Sequence, residues 1–233
     1  MPSLSKAINS QVGRKIITGV TGVGLMLFLI VHLAGNLTIF GTSTAFNEYV
    51  EALQSTAGPL FYPIELALAA LFLYHAIIGI SIWRNRRKAR PEKYDVYNSK
   101  GGRSHQSLAS KSMIYTGIII LIFLVIHIIQ FRFGIHYETM IDGEQVRDLR
   151  RLVLESFVRP LDAFGYTFVL ALVILHLSHG FWSAFTSLGM HHNDTSKKVQ
   201  MAAYGFAIVL MLAFMFIPLY IFFTGGQGSL ISY

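Results

Sequence analysis

Five long apolar runs, separated by polar stretches, set the pattern of the chain. They cover Ile16–Phe40, Leu60–Trp83, Met113–Phe131, Tyr166–Met190 and Met201–Phe223. Each meets the requirement for about 17–25 mainly apolar residues to cross the hydrocarbon core of a bilayer. None alternates with the period of two that marks a transmembrane strand. The pattern predicts an all-α integral membrane protein: a five-helix bundle forming one domain over residues 1–233. Two connecting stretches carry weaker periodicity. Phe46, Tyr49, Val50 and Leu53 recur at helical spacing, with Glu48 and Glu51 off that stripe, which predicts a short amphipathic helix lying in the membrane interface. Val146, Leu149, Val153 and Phe157 predict a second. Pro218 predicts a kink near the end of the last segment.

Composition agrees with this reading. The 233 residues are 53% hydrophobic and 13% charged, against about 25% charged in ordinary soluble domains. The formal net charge of +7 changes meaning once its distribution is considered. Lys6, Arg14 and Lys15 precede the first segment. Arg84, Arg86, Arg87, Lys88, Arg90, Lys93, Lys100, Arg103 and Lys111 lie between the second and third, and Lys197 and Lys198 between the fourth and fifth. The remaining Arg132, Arg147, Arg150, Arg151 and Arg159 are mixed with acids. The positive-inside rule then places the N-terminus in the cytoplasm and the C-terminus outside. The basic excess reads as a topology signal, with the long linker around Gly101-Gly102 long enough to meet a soluble partner, and nucleic acid is not indicated. The chain has no cysteine, which excludes disulfides, covalent c-type haem attachment and cysteine-ligated iron–sulfur clusters within it. The first apolar run is too long for a signal-peptide core and is read as a retained helix.

Candidate chemistry lies in the histidines. His32, His75 and His127 each sit inside a different apolar segment, and His176 and His179 share the fourth. An ionisable ring at membrane depth is costly and marks a functional site by default. At 1.5 Å per residue, His32 and His127 lie roughly 24 and 21 Å from the cytoplasmic ends of their segments. His75 lies about 12 Å from its own end, His176 about 18 Å and His179 about 14 Å. Two levels result: an outer pair, His32 with His127, and an inner pair, His75 with one of the two histidines of the fourth segment. Depth leans to His179 for that partner. Thr21-Gly22 precedes His32 by eleven residues, and Thr116-Gly117 precedes His127 by the same interval, so each Thr-Gly shares a face with its histidine about three turns away. Gly35, Gly79 and Gly180 follow His32, His75 and His176 by one turn and clear space there for a flat group. Gly19, Gly22 and Gly24 form a small-residue face suited to close helix packing.

Two neutral imidazoles at one level suit bis-histidine ligation of a haem iron inside a bundle. Four histidine positions in two depth-matched pairs predict two such haems and electron transfer across the membrane. A di-iron membrane hydroxylase or desaturase is an alternative, suggested by His176-x-x-His179 and His191-His192, but it needs more clustered ligands. A haem-free histidine transporter is another, and Glu65 is the only clear acid within the apolar spans to serve it.

Five segments with T-G-x9-H in the first and third, Y-H-A in the second and H-L-S-H-G-F-W-S in the fourth resemble the dihaem cytochrome b membrane-anchor subunit of succinate dehydrogenases and fumarate reductases. The resemblance spans nearly the whole chain and is nearest to the single-chain, five-helix bacterial type. It implies two haem b groups, with His32 and His127 ligating the outer and His75 and His176 the inner. The fourth ligand in that family stands four residues before a glycine, here Gly180, which selects His176 and leaves His179 as the alternate. The resemblance further implies a flavoprotein subunit where succinate and fumarate interconvert, and an iron–sulfur subunit docked on the cytoplasmic face. It also implies membrane quinone, commonly menaquinone, as electron partner, and the bacterial cytoplasmic membrane as location. Some fumarate reductases of this type have a glutamate two residues before the fourth ligand; here Ile174 stands there, so that proton route is not expected. Glu48 and Glu51 are candidates for proton handling at an external quinone site, whose residues the sequence does not identify.

Overall fold

A computed structural model describes residues 6, 8, 10–89, 107–190 and 196–225. The basic residues Arg90, Lys93, Lys100 and Arg103, the pair Gly101-Gly102 and the histidines His191 and His192 lie outside the described residues, as do parts of both termini. The long helices are α1 (Gln11–Leu37), α3 (Phe61–Lys88), α4 (Leu108–Phe131), α6 (Pro160–Ser187) and α7 (Ser196–Thr224). All five are long and apolar enough to cross a membrane. Two short helices, α2 (Ala45–Ala57) and α5 (Leu149–Phe157), occupy the stretches where amphipathic helices are predicted.

The helix ends run past the apolar runs. α1 starts five residues before Ile16, and α3 continues five residues beyond Trp83 into Arg86, Arg87 and Lys88. Helical hydrogen bonding does not require an apolar side chain, and cations in the last turn favour the negative end of the helix dipole. α7 runs on through Pro218 to Thr224.

One prediction is corrected. Val146 belongs not to the second amphipathic helix but to a hairpin, β1 (Glu138–Ile141) with β2 (Glu144–Arg147), paired antiparallel from Glu138↔Arg147 to Ile141↔Glu144. Its two-residue turn is Asp142-Gly143, with φ of 49° and 86°, the left-handed conformations that a tight hairpin of this type requires. Val146 is buried because the strand, with period two, turns it inward.

The chain contacts divide into two compact units. The first comprises α1 through Leu27, α3 from Ala67, α4 through Ile118, α6 from Val173 and α7 through Ile208. Within it, a Cβ at Gly19 would sit 3.4 Å from the Ala184 Cα, and one at Gly24 would sit 3.3 Å from Leu71 Cδ2. The small-residue face of α1 is therefore used for close packing on both α6 and α3. The second unit comprises α1 from Phe28, α2, α3 through Leu66, α4 from Ile119, the hairpin, α5, α6 through Leu172 and α7 from Val209. Its core joins Ile39, Phe46, Val153, Leu154, Phe157, Tyr166, Ile217 and Ile221. α2 and α5 are clasped by polar bonds: buried Asn47 donates to Asp148 Oδ1 at 2.8 Å and accepts from the Arg150 amide at 3.0 Å. Asp148 also caps α5, accepting from the Arg151 amide at 3.0 Å. The Arg147 guanidinium donates to the Phe131 carbonyl at 2.9 Å, closing the end of α4.

Large apolar side chains face outward along the long helices. Leu66, Tyr115, Phe168 and Val209 are each more than 60% exposed, and α3 has no buried residue at all. A surface of that kind suits hydrocarbon, where backbone groups are already satisfied within each helix.

Candidate functional site: two histidine pairs

In the second unit His32 (α1) and His127 (α4) face each other, with ring centroids 5.9 Å apart and planes at 83°. Depth matching in the sequence anticipates this pair. Aromatic rings surround it: Phe28 stacks on His32 at 5.2 Å, Phe214 lies 5.8 Å from His32, and Phe123 lies 5.8 Å from His127. The His127 Nδ1 is 3.4 Å from the hydroxyl of Tyr166, which donates to Gln130 Oε1 at 2.8 Å. Gly35 does not clear space beside His32 as its spacing suggests. Tyr49 of α2 fills that place, and a Cβ at Gly35 would meet its ring at 2.5 Å.

In the first unit His75 (α3) and His176 (α6) are each held by a threonine of a neighbouring helix. Thr21 Oγ1 is 3.0 Å from His75 Nδ1, and Thr116 Oγ1 is 3.2 Å from His176 Nδ1. The glycine after each threonine lies under the same ring: a Cβ at Gly22 would sit 3.5 Å from His75 Cε1, and one at Gly117 would sit 3.3 Å from His176 Cε1. His176 lies within electrostatic range of both His75 and His179. His179, one turn along α6, lines a small polar pocket with Ser107, Ser178, Trp182, Gln200 and Tyr204. Gly79 has open space where a side chain would be, and Gly180 has only Met26 Cε, at 3.9 Å.

No protein-family model, no curated protein and no solved structure matches this chain. The arrangement of the histidines is therefore the ground for a functional reading.

The role of Thr21 and Thr116 is absent from the sequence reading, which tied each Thr-Gly to the histidine on its own helix. The available signal was depth, since each Thr-Gly falls in the same half of its helix as the histidine of the helix that follows. Among the described residues no three His, Cys, Asp or Glu side chains gather into a group able to hold a metal ion.

Glu48 and Glu51 are exposed on α2. Arg14 donates to Ser81 Oγ at 2.5 Å, while Lys15 and Arg84 are exposed. Glu65 is bound by Arg132, whose Nε and Nη2 donate to its two oxygens at 2.5 and 3.2 Å. That hydrogen bonding is the main reason the Arg132 guanidinium is raised above its ordinary value.

Proposed function

We propose that this chain is the dihaem cytochrome b membrane-anchor subunit of a succinate:quinone oxidoreductase. It passes electrons between an iron–sulfur partner subunit and membrane quinone, probed most directly with menaquinone. The observation that carries the reading is the sorting of four intramembrane histidines into two facing or neighbouring pairs, one in each compact unit. The rings of His32 and His127 lie 5.9 Å apart, centroid to centroid, with aromatic side chains around them. The donor set fits: two imidazoles per site, no further ligand, and apolar or aromatic walls.

His32 and His127 would hold one haem b, and His75 and His176 the other. When bound, haem would supply a one-electron couple. The residues of the chain bind and shield. Phe28, Phe123 and Phe214 line the first pair against water, and Gly22 and Gly117 let the second pair of rings lie close to α1 and α4. His176 is favoured over His179 because it has the threonine partner that His75 also has, whereas His179 turns to the polar pocket. The succinate and fumarate chemistry belongs to a flavoprotein partner, and the chain resides in the bacterial cytoplasmic membrane with its N-terminus inside.

Purified full-length protein, expressed with adequate haem supply, should give the reduced-minus-oxidised spectrum of six-coordinate b-type haem at two haems per chain. His32→Ala or His127→Ala should remove one haem, and His75→Ala or His176→Ala the other. Folded, haem-replete preparations lacking any such spectrum would refute the proposal, and a haem lost from His179→Ala but not from His176→Ala would refute the ligand assignment.

A further inference from the structure

Each threonine beside a histidine of the first unit has a hydrogen already committed elsewhere. Thr21 Oγ1 lies 2.9 Å from the Ile17 carbonyl and 3.1 Å from the Thr18 carbonyl. Thr116 Oγ1 lies 3.1 Å from the Ser112 carbonyl and 3.2 Å from the Met113 carbonyl. A carbonyl oxygen only accepts, so the single hydroxyl hydrogen points back along the helix and the oxygen presents a lone pair to the imidazole. A hydroxyl turned toward the ring instead would set its lone pairs against two carbonyl oxygens at those distances. Nδ1 of His75 and of His176 must then carry the hydrogen of the bond, and in a neutral imidazole this leaves the lone pair on Nε2.

We infer that Thr21 and Thr116 are positioning residues for His75 and His176, each fixing, together with the Thr18 or Met113 carbonyl that the same imidazole also meets, the ring and the tautomer that offers Nε2 to a haem iron. The inference rests on the function proposed above. Three observations strengthen it. Both threonines are buried, at 7% and 3% exposure, so water does not compete for the bond. The glycine that follows each one leaves room for the ring edge between its two nitrogens, as the 3.5 and 3.3 Å approaches to Cε1 show. The same Thr-Gly device is built twice, on α1 for α3 and on α4 for α6. Among the described residues the pair in the second unit shows no such device: the Tyr166 contact to His127 is long at 3.4 Å, and His32 has aromatic rings beside it. A bond of this kind orients a ligating histidine and raises its basicity, and its loss commonly costs 10–100-fold in metal affinity. A less basic imidazole stabilises oxidised iron less, so the reduction potential rises when the bond is removed.

The test uses full-length, haem-loaded protein in detergent, with each haem assigned by its loss from the His75→Ala and His32→Ala variants. Thr21→Val and Thr116→Val keep the side-chain shape and remove the acceptor; Thr21→Ser and Thr116→Ser keep the acceptor. The expected result is an upward shift in the midpoint of the His75/His176 haem alone. A tenfold change in the one-electron equilibrium corresponds to about 59 mV. Its low-spin electron paramagnetic resonance lines should move with it, and both serine variants should restore the native values. Selective loss of that haem in the valine variants, with the other haem retained and serine restoring both, supports the same conclusion. Valine variants that keep native midpoints and native lines overturn the inference, as do variants that disturb both haems equally or serine variants that fail to rescue. Native protein without haem overturns instead the function on which the inference rests.

Discussion

Replacing Asn47 with alanine should loosen the clasp between α2 and α5. Asn47 is 4% exposed, and its amide makes both bonds that join the two helices: Nδ2 to Asp148 Oδ1 at 2.8 Å, and Oδ1 from the Arg150 amide at 3.0 Å. A hydrogen bond to a charged group contributes about 1.5–3 kcal/mol, and leaving a buried donor unpaired costs about 1–3 kcal/mol. The Asp148 carboxylate keeps the Arg151 amide at 3.0 Å, so the N-cap of α5 survives and the two losses are not fully additive. About 2–4 kcal/mol is the expected weakening. At 1.4 kcal/mol per tenfold, that is roughly 30- to 700-fold faster local opening. Hydrogen exchange measured by mass spectrometry on detergent-solubilised protein reads this directly through the amides of α2 and α5. Asp148→Ala, which removes the cap as well, should accelerate exchange further in α5. Exchange in both helices that stays within about threefold of native in Asn47→Ala would refute the assignment of Asn47 as their joint.

Two other expectations follow from the packing and the charges. Gly19→Leu should destabilise the protein by about 1–3 kcal/mol, because its side chain would press on the backbone of α6 at Ala184; a thermal melt in detergent should show a lowered Tm, with Gly19→Ala close to native. Glu155 is held below its ordinary carboxylate value of 4.5 by its hydrogen bond from Arg151 and then by that from Tyr137. Its contribution is therefore present above that value and lost as pH falls through the lower folded value. Because both Arg151 and Glu155 are 44% exposed, the contribution stays below about 1 kcal/mol. Glu155→Gln should flatten the stability profile of α5 between about pH 5 and 3; an unchanged acid limb would count against the pairing.

The long helices were legible because continuous apolar runs leave little choice in hydrocarbon, where an unpaired backbone group costs several kcal/mol. Their ends were not, since α1, α3, α4 and α6 begin or finish among polar residues that hydropathy does not count. The hairpin was missed although Asp142-Gly143 is a strong turn signal; Val146 was assigned to a helix because it falls three residues before Leu149. Asn47 was invisible for a related reason. A buried amide looks like one more polar position on a helix until its partners on α5 are in view. The facing of His32 and His127 could be read from depth alone, whereas the threonine partners of His75 and His176 required knowing which helices are neighbours. Gly35 shows the opposite error: its place beside His32 suggested clearance for a cofactor, and the ring of Tyr49 occupies it.

The same side-chain geometry bears on the competing readings of the sequence. A transporter that moves ions or protons by way of its histidines needs charged groups free to exchange partners within the apolar spans. Glu65 is the clear acid in those spans, and both its oxygens are engaged by Arg132. The histidines themselves face hydroxyls, aromatic rings and each other. A di-iron centre asks for carboxylates or many imidazoles converging on one point, and among the described residues no three His, Cys, Asp or Glu side chains gather in that way. On the proposed reading, paired imidazoles walled by aromatic rings serve as ligands for a group that carries an electron.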